Sequence, residues 1–271
     1  MSFATVAIGR SVARKPLTGG QAFRLLVFRN FLVYRRAWHV FVTGFLEPVF
    51  YLFSIGVGVG QLVTGFQFNG HQIPYADFVA PGMLAASAMN GSMLDATFNF
   101  FWKLKYAKLY DQQLATPLSP MDIARGELGW SQLRGGIYSA GFLVVMLCMG
   151  YVHSWWALLV LPGTLLFGFS FGAVCMALTT WMRSWQDFEF VTLGTMPMFL
   201  FSATFYPITA YPDWLRWVIE CTPLYRGVVL CRELCTGTPA WESVVSVVYL
   251  AAFGVIGLLI VRRRLAALLL T

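Results

Sequence analysis

The feature that most limits what this chain can fold into is a long run without charge: residues 135–182 contain no Asp, Glu, Lys or Arg. A helix needs about 20 apolar residues to cross the hydrocarbon core of a bilayer, so this run holds two crossings and must fold back on itself. The turn is best placed at Gly150–Trp156, where Tyr151, Trp155 and Trp156 supply the rings that settle at a membrane interface. The same constraint extends to the rest of the chain. Of 271 residues, 58% are hydrophobic and 11% charged, against about 25% charged in soluble domains. Little length is left for a soluble catalytic domain.

Four further apolar stretches complete a set of six crossings. The first is expected from about Val40 to Gly60, the second from Tyr75 to Trp102, the fifth from Phe190 to Tyr206–Pro207, and the sixth over residues 243–261. The fold class is therefore all-α, a polytopic membrane protein organised as a single transmembrane domain over 1–271. Residues 207–242 hold Pro207, Pro212, Pro223 and Pro239, which cannot sit in one straight helix. Basic residues gather before the first run (Arg24, Arg29, Arg35, Arg36), after the second (Lys103, Lys105, Lys108, Arg125, Arg134) and after the last (Arg262, Arg263, Arg264). Under the positive-inside rule, both termini and the 103–134 stretch lie in the cytoplasm, and residues 61–74, 150–156 and 207–242 lie outside. Residues 1–20 have neither the apolar stretch nor the small-residue cleavage site of a signal peptide, so they are expected to remain as a cytoplasmic tail.

The net charge of +7 does not point to nucleic acid, because the basic residues bracket apolar runs instead of covering one face. Cys148 and Cys175 read as small apolar residues, while spacing leaves open a bridge from Cys221 to Cys231 or Cys235. His39, His71 and His153 stand alone, which points away from a metal centre. The chain has no G-x-x-x-x-G-K-[ST] sequence and so cannot hydrolyse ATP by that route. Gly56-x-Gly58-x-Gly60 ends an apolar run; Gly56 and Gly60 are read as allowing close helix packing.

Residues 103–127 carry the clearest local design. A short helix is stopped by Pro117; Ser119 reads as an N-cap, Pro120 as the first helical residue, and Asp122 closes a capping box. An exposed elbow between two sharply bounded helices results, although a well-capped interfacial turn reads the same way. Residues 18–38 mix apolar bulk with arginines, as expected of a helix lying in the cytoplasmic interface. Ionisable residues inside crossings are costly, so Glu47 and Asp95 are candidates for function. Asp95 shares a helical face with Ser92 and Asn99, and an interhelical hydrogen-bond network is the equally weighted alternative.

Taken in order, several motifs resemble the type-2 ABC exporter permeases, in particular the branch that exports nodulation factors (lipo-oligosaccharides) and drugs. They are Glu47-Pro48, Phe78-Val-Ala-Pro-Gly82, Leu114-Ala-Thr-Pro-Leu-Ser-Pro120 with Gly126-Glu127, Phe201-Ser-Ala-Thr-Phe-Tyr-Pro207, Pro212-x-Trp214-Leu215, Pro223-Leu-Tyr225 and Arg232. The resemblance spans nearly the whole chain. It implies an interfacial helix within 1–38, a cytoplasmic coupling segment at 103–120 and an outer re-entrant helical pair at 207–242. It also implies a docking surface for a separate ATPase made from Arg24, Arg29, Tyr110, Asp111, Gln112, Leu114, Ala115, Thr116 and Pro117. Phe205, Tyr206 and Trp214, with Glu47, Asp95 and Asn99, become candidates for the transport path, and Trp217 lies near its outer end. Ser202-Ala203 stands where many relatives have Ser-Gly, so a shallower bend is expected there. The implied partners are two ATPase copies, which would bind ATP and Mg, and a second permease copy in the bacterial inner membrane, with no cofactor on this chain. The cargo would be an acylated or lipid-linked saccharide, a lipid, or a hydrophobic drug. A membrane-embedded transferase is the rival class, but Glu47, Asp95 and the three histidines form no recognisable catalytic pattern.

Overall fold

The computed structural model describes residues 18–36, 38–39, 42, 46, 49–60, 62, 67–68, 71–152 and 154–269. Residues 1–17, Glu47-Pro48, His153 and most of the 40–48 and 61–70 stretches lie outside the described residues. The described chain is almost wholly helical. Its main helices are α1 (Gly19–Arg36), α2 (Tyr75–Leu94), α3 (Leu109–Leu114), α4 (Pro120–Cys148), α5 (Val160–Thr179), α6 (Phe188–Leu200), α7 (Asp213–Glu220), α8 (Pro223–Thr236) and α9 (Trp241–Leu269). A π-helical stretch, Leu52–Val59, precedes α2, and two-residue strands Gln67–Phe68 (β1) and His71–Gln72 (β2) pair antiparallel. Two described segments, Trp155–Thr179 and Trp241–Leu269, are long and apolar enough to cross a bilayer by length and composition.

The central helix is α2, packed against the Leu52–Val59 stretch, α4, α5 and α8. Its sequence explains why. Ala, Gly and Ser recur on every side, so neighbours approach closely, and almost every residue from Tyr75 to Met89 is buried. Around Ser92 three helices meet with no room for a methyl group. A Cβ on Gly168 would lie 2.5 Å from the Ser92 hydroxyl, and one on Gly135 2.8 Å from it. A second close contact joins α5 to α9, where a Cβ on Gly257 would meet backbone of Ala173 and Val174 within 3 Å. Ser170 Oγ donates across the same contact to Leu250 O at 2.6 Å. By contrast, a Cβ on Gly56 would make an ordinary 3.5 Å contact with Ala76, and one on Gly60 would strike the carbonyl of Gly56 in its own helix. Of the two glycines expected to serve packing, only Gly56 faces a neighbour.

Several sequence expectations shift in detail. The second crossing runs past Trp102 as π-helical turns at Asp95–Asn99 and Trp102–Tyr106. The helix expected to reach Pro117 is interrupted at Lys108, whose φ of 45° lies in the left-handed region, and it resumes only as α3. The fifth crossing, expected to reach Tyr206–Pro207, is regular only to Leu200. Its 13 residues span about 20 Å, short of a hydrocarbon core of about 30 Å. All five cysteines are free thiols, so no bridge joins Cys221 to Cys231 or Cys235.

The prolines of 207–242 each start an element. Pro207 precedes a 3₁₀ turn at Ile208–Ala210, Pro212 caps α7, Pro223 is the first residue of α8, and Pro239 lies just before α9. The segment is held to α2 by Arg232. Its guanidinium donates to Phe78 O (3.3 Å) and Ala203 O (2.9 Å) and lies over the Phe78 ring, 3.8 Å from the centroid. Tyr75 Oη adds a 3.1 Å bond to Phe205 O, and Gly82 leaves room for Thr204. The bend at Ser202-Ala203 is not shallower for lack of glycine, because Ala203 itself adopts φ 56°.

The left-handed conformation strains an alanine by about 1–2 kcal/mol and a β-branched residue far more. Ala203→Gly is therefore expected to leave thermal stability in detergent within about 1 kcal/mol of the parent, since relief of strain offsets the lost methyl. Ala203→Val should destabilise by more than about 2 kcal/mol in the same measurement.

Candidate functional site

Helix α1 buries a narrow stripe, Ala22, Leu26 and Asn30, at four-residue intervals. The stripe lies on α4 because glycines there admit it. A Cβ on Gly126 would sit 2.5 Å from Leu26 Cβ, and one on Gly129 2.2 Å from the Phe23 ring. The remaining faces of α1 are exposed and apolar, with Phe28, Leu25 and Val33 each more than half accessible and Arg24, Arg35 and Arg36 among them.

Beneath this helix lies a buried polar ladder. Asp95, Asn99 and Lys103 recur every four residues, a spacing that drifts by about 40° per step on an α-helix. The wider π turns that contain them counter the drift and keep all three toward α1 and α4. Thr179 Oγ1, from α5, donates to Ala96 O (3.3 Å) within the first π turn. On α4, Glu127 and Arg134 are two turns apart. Because the two helices run antiparallel, the pairs nest as successive rungs: Arg134 Nη1 pairs with Asp95 Oδ1 at 3.0 Å, and Lys103 Nζ with Glu127 Oε2 at 2.5 Å.

Helix α1 ties both rungs together. Tyr34 Oη donates to Asp95 Oδ1 (3.1 Å), and Asn99 Nδ2 donates to Tyr34 Oη (2.5 Å) and to Asp95 Oδ1. Asn30 donates to Glu127 Oε2 (3.3 Å) and accepts from Lys103 Nζ (3.2 Å). Arg134 Nε donates to Tyr138 Oη (3.0 Å), and its guanidinium also lies 5.7 Å from the Tyr34 ring centroid. Burial, followed by the Asp95 charge, raises the Tyr34 hydroxyl well above the ordinary tyrosine range, so it stays a donor.

The ladder reaches the elbow through α3. Tyr110 is fully buried against Phe100, with ring centroids 5.3 Å apart, and Gln113 is buried beside it. Burial, with the Glu127 charge second, raises the Tyr110 hydroxyl as well. Arg29 Nη1 and Gln113 Oε1 are buried with no direct hydrogen-bond partner among the described residues, while the Tyr110 hydroxyl and the Glu127 carboxylate interact with each other.

Of the residues expected to dock an ATPase, Arg24, Asp111, Gln112, Ala115 and Thr116 are exposed, while Arg29, Leu114 and Pro117 are half-buried. Tyr110 is a correction. It is a core residue of the joint and presents no surface, because the helical period turns it inward when Asp111 and Gln112 face out. Among the transport-path candidates, Asp95 and Asn99 belong to the ladder, which realises the interhelical network. Phe205 packs edge-on to Phe199 at 5.4 Å, Tyr206 and Trp214 are strongly exposed, and Glu47 lies outside the described residues.

Sequence reasoning passed over the rungs Lys103–Glu127 and Arg134–Asp95. The signal was present as opposite charges eight residues apart on one helix and seven on its antiparallel neighbour, masked because Lys103 and Arg134 also serve the inside-positive count. It also passed over a ring cluster in which Trp185 and Phe188, from the 183–189 turn, stack on Phe98, Phe101, Trp102 and Tyr106. That turn is closed by Asp187, which accepts from the backbone N–H of Arg183 (2.6 Å) and Ser184 (3.1 Å); these bonds lower its pKa below the usual carboxylate value.

Removing one member of a buried pair leaves the other charge stranded, at about 3–5 kcal/mol. Arg134→Met and Asp95→Asn should each lower the unfolding temperature sharply, and the double variant should fall well short of the sum. Because the folded pKa of Asp187 is depressed, its contribution is present above the unfolded value of about 3.9 and lost as pH falls through the folded one. Trp185 fluorescence should therefore report opening of the turn in acid, and Asp187→Ala should remove that transition.

Residues 21–234 match the family model described as ABC-2 type transporter. Relatives include Nodulation protein J of Rhizobium leguminosarum bv. viciae, 29% identical over 254 residues covering 91% of this chain and 96% of the relative. Nodulation protein J of Rhizobium leguminosarum bv. trifolii is 30% identical over 234 residues, 85% of this chain and 87% of the relative. The protein of the same name from Sinorhizobium fredii (strain NBRC 101917 / NGR234) is 30% identical over 229 residues, 84% and 86%. With the family match covering most of a chain whose buried ladder and helical core have just been described, this protein is a membrane permease of the ABC-2 type transporter family.

Proposed function

We propose that this chain is the transmembrane subunit of an ATP-driven exporter, organised as one transmembrane domain with six crossings, the fifth made of α6 and the irregular residues 201–206 that follow it, and both termini in the cytoplasm of a bacterial inner membrane. Two copies, or one copy and a close homologue, pair with two ATPase chains that bind ATP and Mg. The observation that carries this reading is the elbow. Asp111, Gln112, Ala115 and Thr116 face outward from a helix whose other side, Tyr110 and Gln113, is locked into the joint under α1. A push on that exposed face is passed to α1, α2 and α4 together, because the ion-pair ladder binds all three. Tilting them would exchange inward for outward access.

The cargo is an amphipathic molecule, an acylated or lipid-linked saccharide. The nodulation proteins among the relatives support that class, as does the scarcity of charge along the apolar helices, which disfavours a strongly ionic cargo. The face left between Tyr51, α2 and α6 suits such a molecule. A cavity of about 260 Å³ there is lined by Met83, Met89, Met93 and Met196, with Asn90 and Thr195 adding polar groups. Methionine side chains adapt to irregular apolar shapes.

The elbow reading is tested by Asp111→Arg and Thr116→Arg, both at exposed positions that should leave membrane insertion intact. Transport in vesicles with the partner ATPase should fall roughly tenfold, the effect of losing about 1.4 kcal/mol of docking energy, while ATP hydrolysis stops responding to cargo. Unchanged transport in both variants would remove the elbow as the docking surface.

A further inference from the structure

A second cavity, of about 440 Å³, lies between α7, α8 and the start of α9 and is used by nothing described above. Its lining includes Glu220, Tyr225, Arg232, Glu233, Thr236 and Glu242. Glu233 is committed, accepting from Ser243 Oγ and from the Ala240 N–H (3.3 Å). The guanidinium of Arg232 is also committed, to the carbonyls of Phe78 and Ala203. The carboxylates of Glu220 and Glu242 have no hydrogen bond or ion pair among the described residues, and neither has the hydroxyl of Tyr225, a side chain 94% buried. The unspent capacity is therefore mostly acceptor, and three carboxylates outweigh one guanidinium. A volume of this order is in the range that holds small ligands or headgroups.

We propose that this cavity binds a primary ammonium group, its N–H donors shared among Glu220, Glu242 and Tyr225. An ammonium supplies three donors and one positive charge, which matches a lining rich in acceptors and net negative. The surrounding surface indicates the depth at which it binds. Trp214 and Trp217 on α7 and Trp241 at the start of α9 are each more than 70% exposed, an arrangement typical of a membrane interface. Two sources carry this group at that depth, an ethanolamine phospholipid headgroup and a free amine. The outward placement rests on the topology proposed above; the ammonium chemistry does not.

The test is thermal unfolding of the purified full chain in neutral detergent, titrated with ethanolamine, with short-chain phosphatidylethanolamine, and with the matching phosphatidylcholine and phosphatidylglycerol. A saturable rise of several degrees with phosphatidylethanolamine, absent with the other two lipids, is expected. The same rise with ethanolamine alone supports the site and assigns a free amine; a rise with the lipid alone assigns the headgroup. Equal shifts from phosphatidylcholine and phosphatidylethanolamine, or a full shift retained in Glu220→Gln/Glu242→Gln, would overturn the proposal. Tyr225→Phe, which keeps the packing, should halve the shift or abolish it. Separately, a cysteine at Thr238, with Cys148 and Cys221 replaced by serine, should react with an impermeant maleimide from outside intact cells. Labelling only from the cytoplasmic side would overturn the topology without touching the ammonium assignment.

Discussion

The ion pairs between α4 and the π-helical turns that continue α2 set the geometry on which the half of this protein nearest the elbow depends. Arg134 with Asp95 and Lys103 with Glu127 are worth little net stability in themselves, since desolvation consumes most of the Coulomb gain. Their effect is to make any other register between these helices strand a buried charge. Helix α1 is then fixed by the same atoms, because Asn30 bonds to both members of the Lys103–Glu127 rung and Tyr34 donates to Asp95 of the other. A helix with only a narrow buried stripe thereby becomes part of a rigid triad. Slipping one element would break bonds held by the other two.

Small residues make that triad possible and also connect it to the rest of the bundle. Between apolar helices in lipid there is little hydrophobic drive to associate, so contact area and close approach decide the packing. Gly126 admits Leu26, Gly135 and Gly168 close around Ser92, and Gly257 lets α9 rest on the backbone of α5. The half remote from the elbow is held by different means. Arg232 gathers the carbonyls of Phe78 and Ala203, so α2, the Ser202–Thr204 bend and α8 meet at one guanidinium. Phe78, 154 residues from Arg232 along the chain, and Ala203, 29 residues from it, are thereby one structural knot.

The two halves differ in how they could respond to force. At one end, the elbow rests on the buried ring of Tyr110 and on Gln113, next to the rigid ladder. At the other end, α7 and α8 are short, separately capped helices around a polar cavity. Between them, α6 is anchored at one end by the Phe188 rings and at the other by Met198 and Phe199, which pack on the main core.

Much of this architecture was legible in the sequence because it follows from local chemistry. The apolar runs, the break at Gly150, the Ser119-to-Asp122 capping box and the proline-started helices of 207–242 each depend on residues within a few positions of one another. What the sequence could not decide is where charges go when they leave the local frame. Lys103 and Arg134 counted equally well as cytoplasmic markers and as rungs, and only the antiparallel pairing of α2 with α4 turned them inward. Tyr110 read as part of an exposed elbow until the helix beneath α1 buried it. The left-handed bend at Ala203 was concealed by the absence of glycine, yet Arg232 holds it from α8. Hydropathy and caps act over a turn or two of helix and can be read in order. Buried pairing is set by residues brought together across the fold, and its cost is known only once every partner is in place.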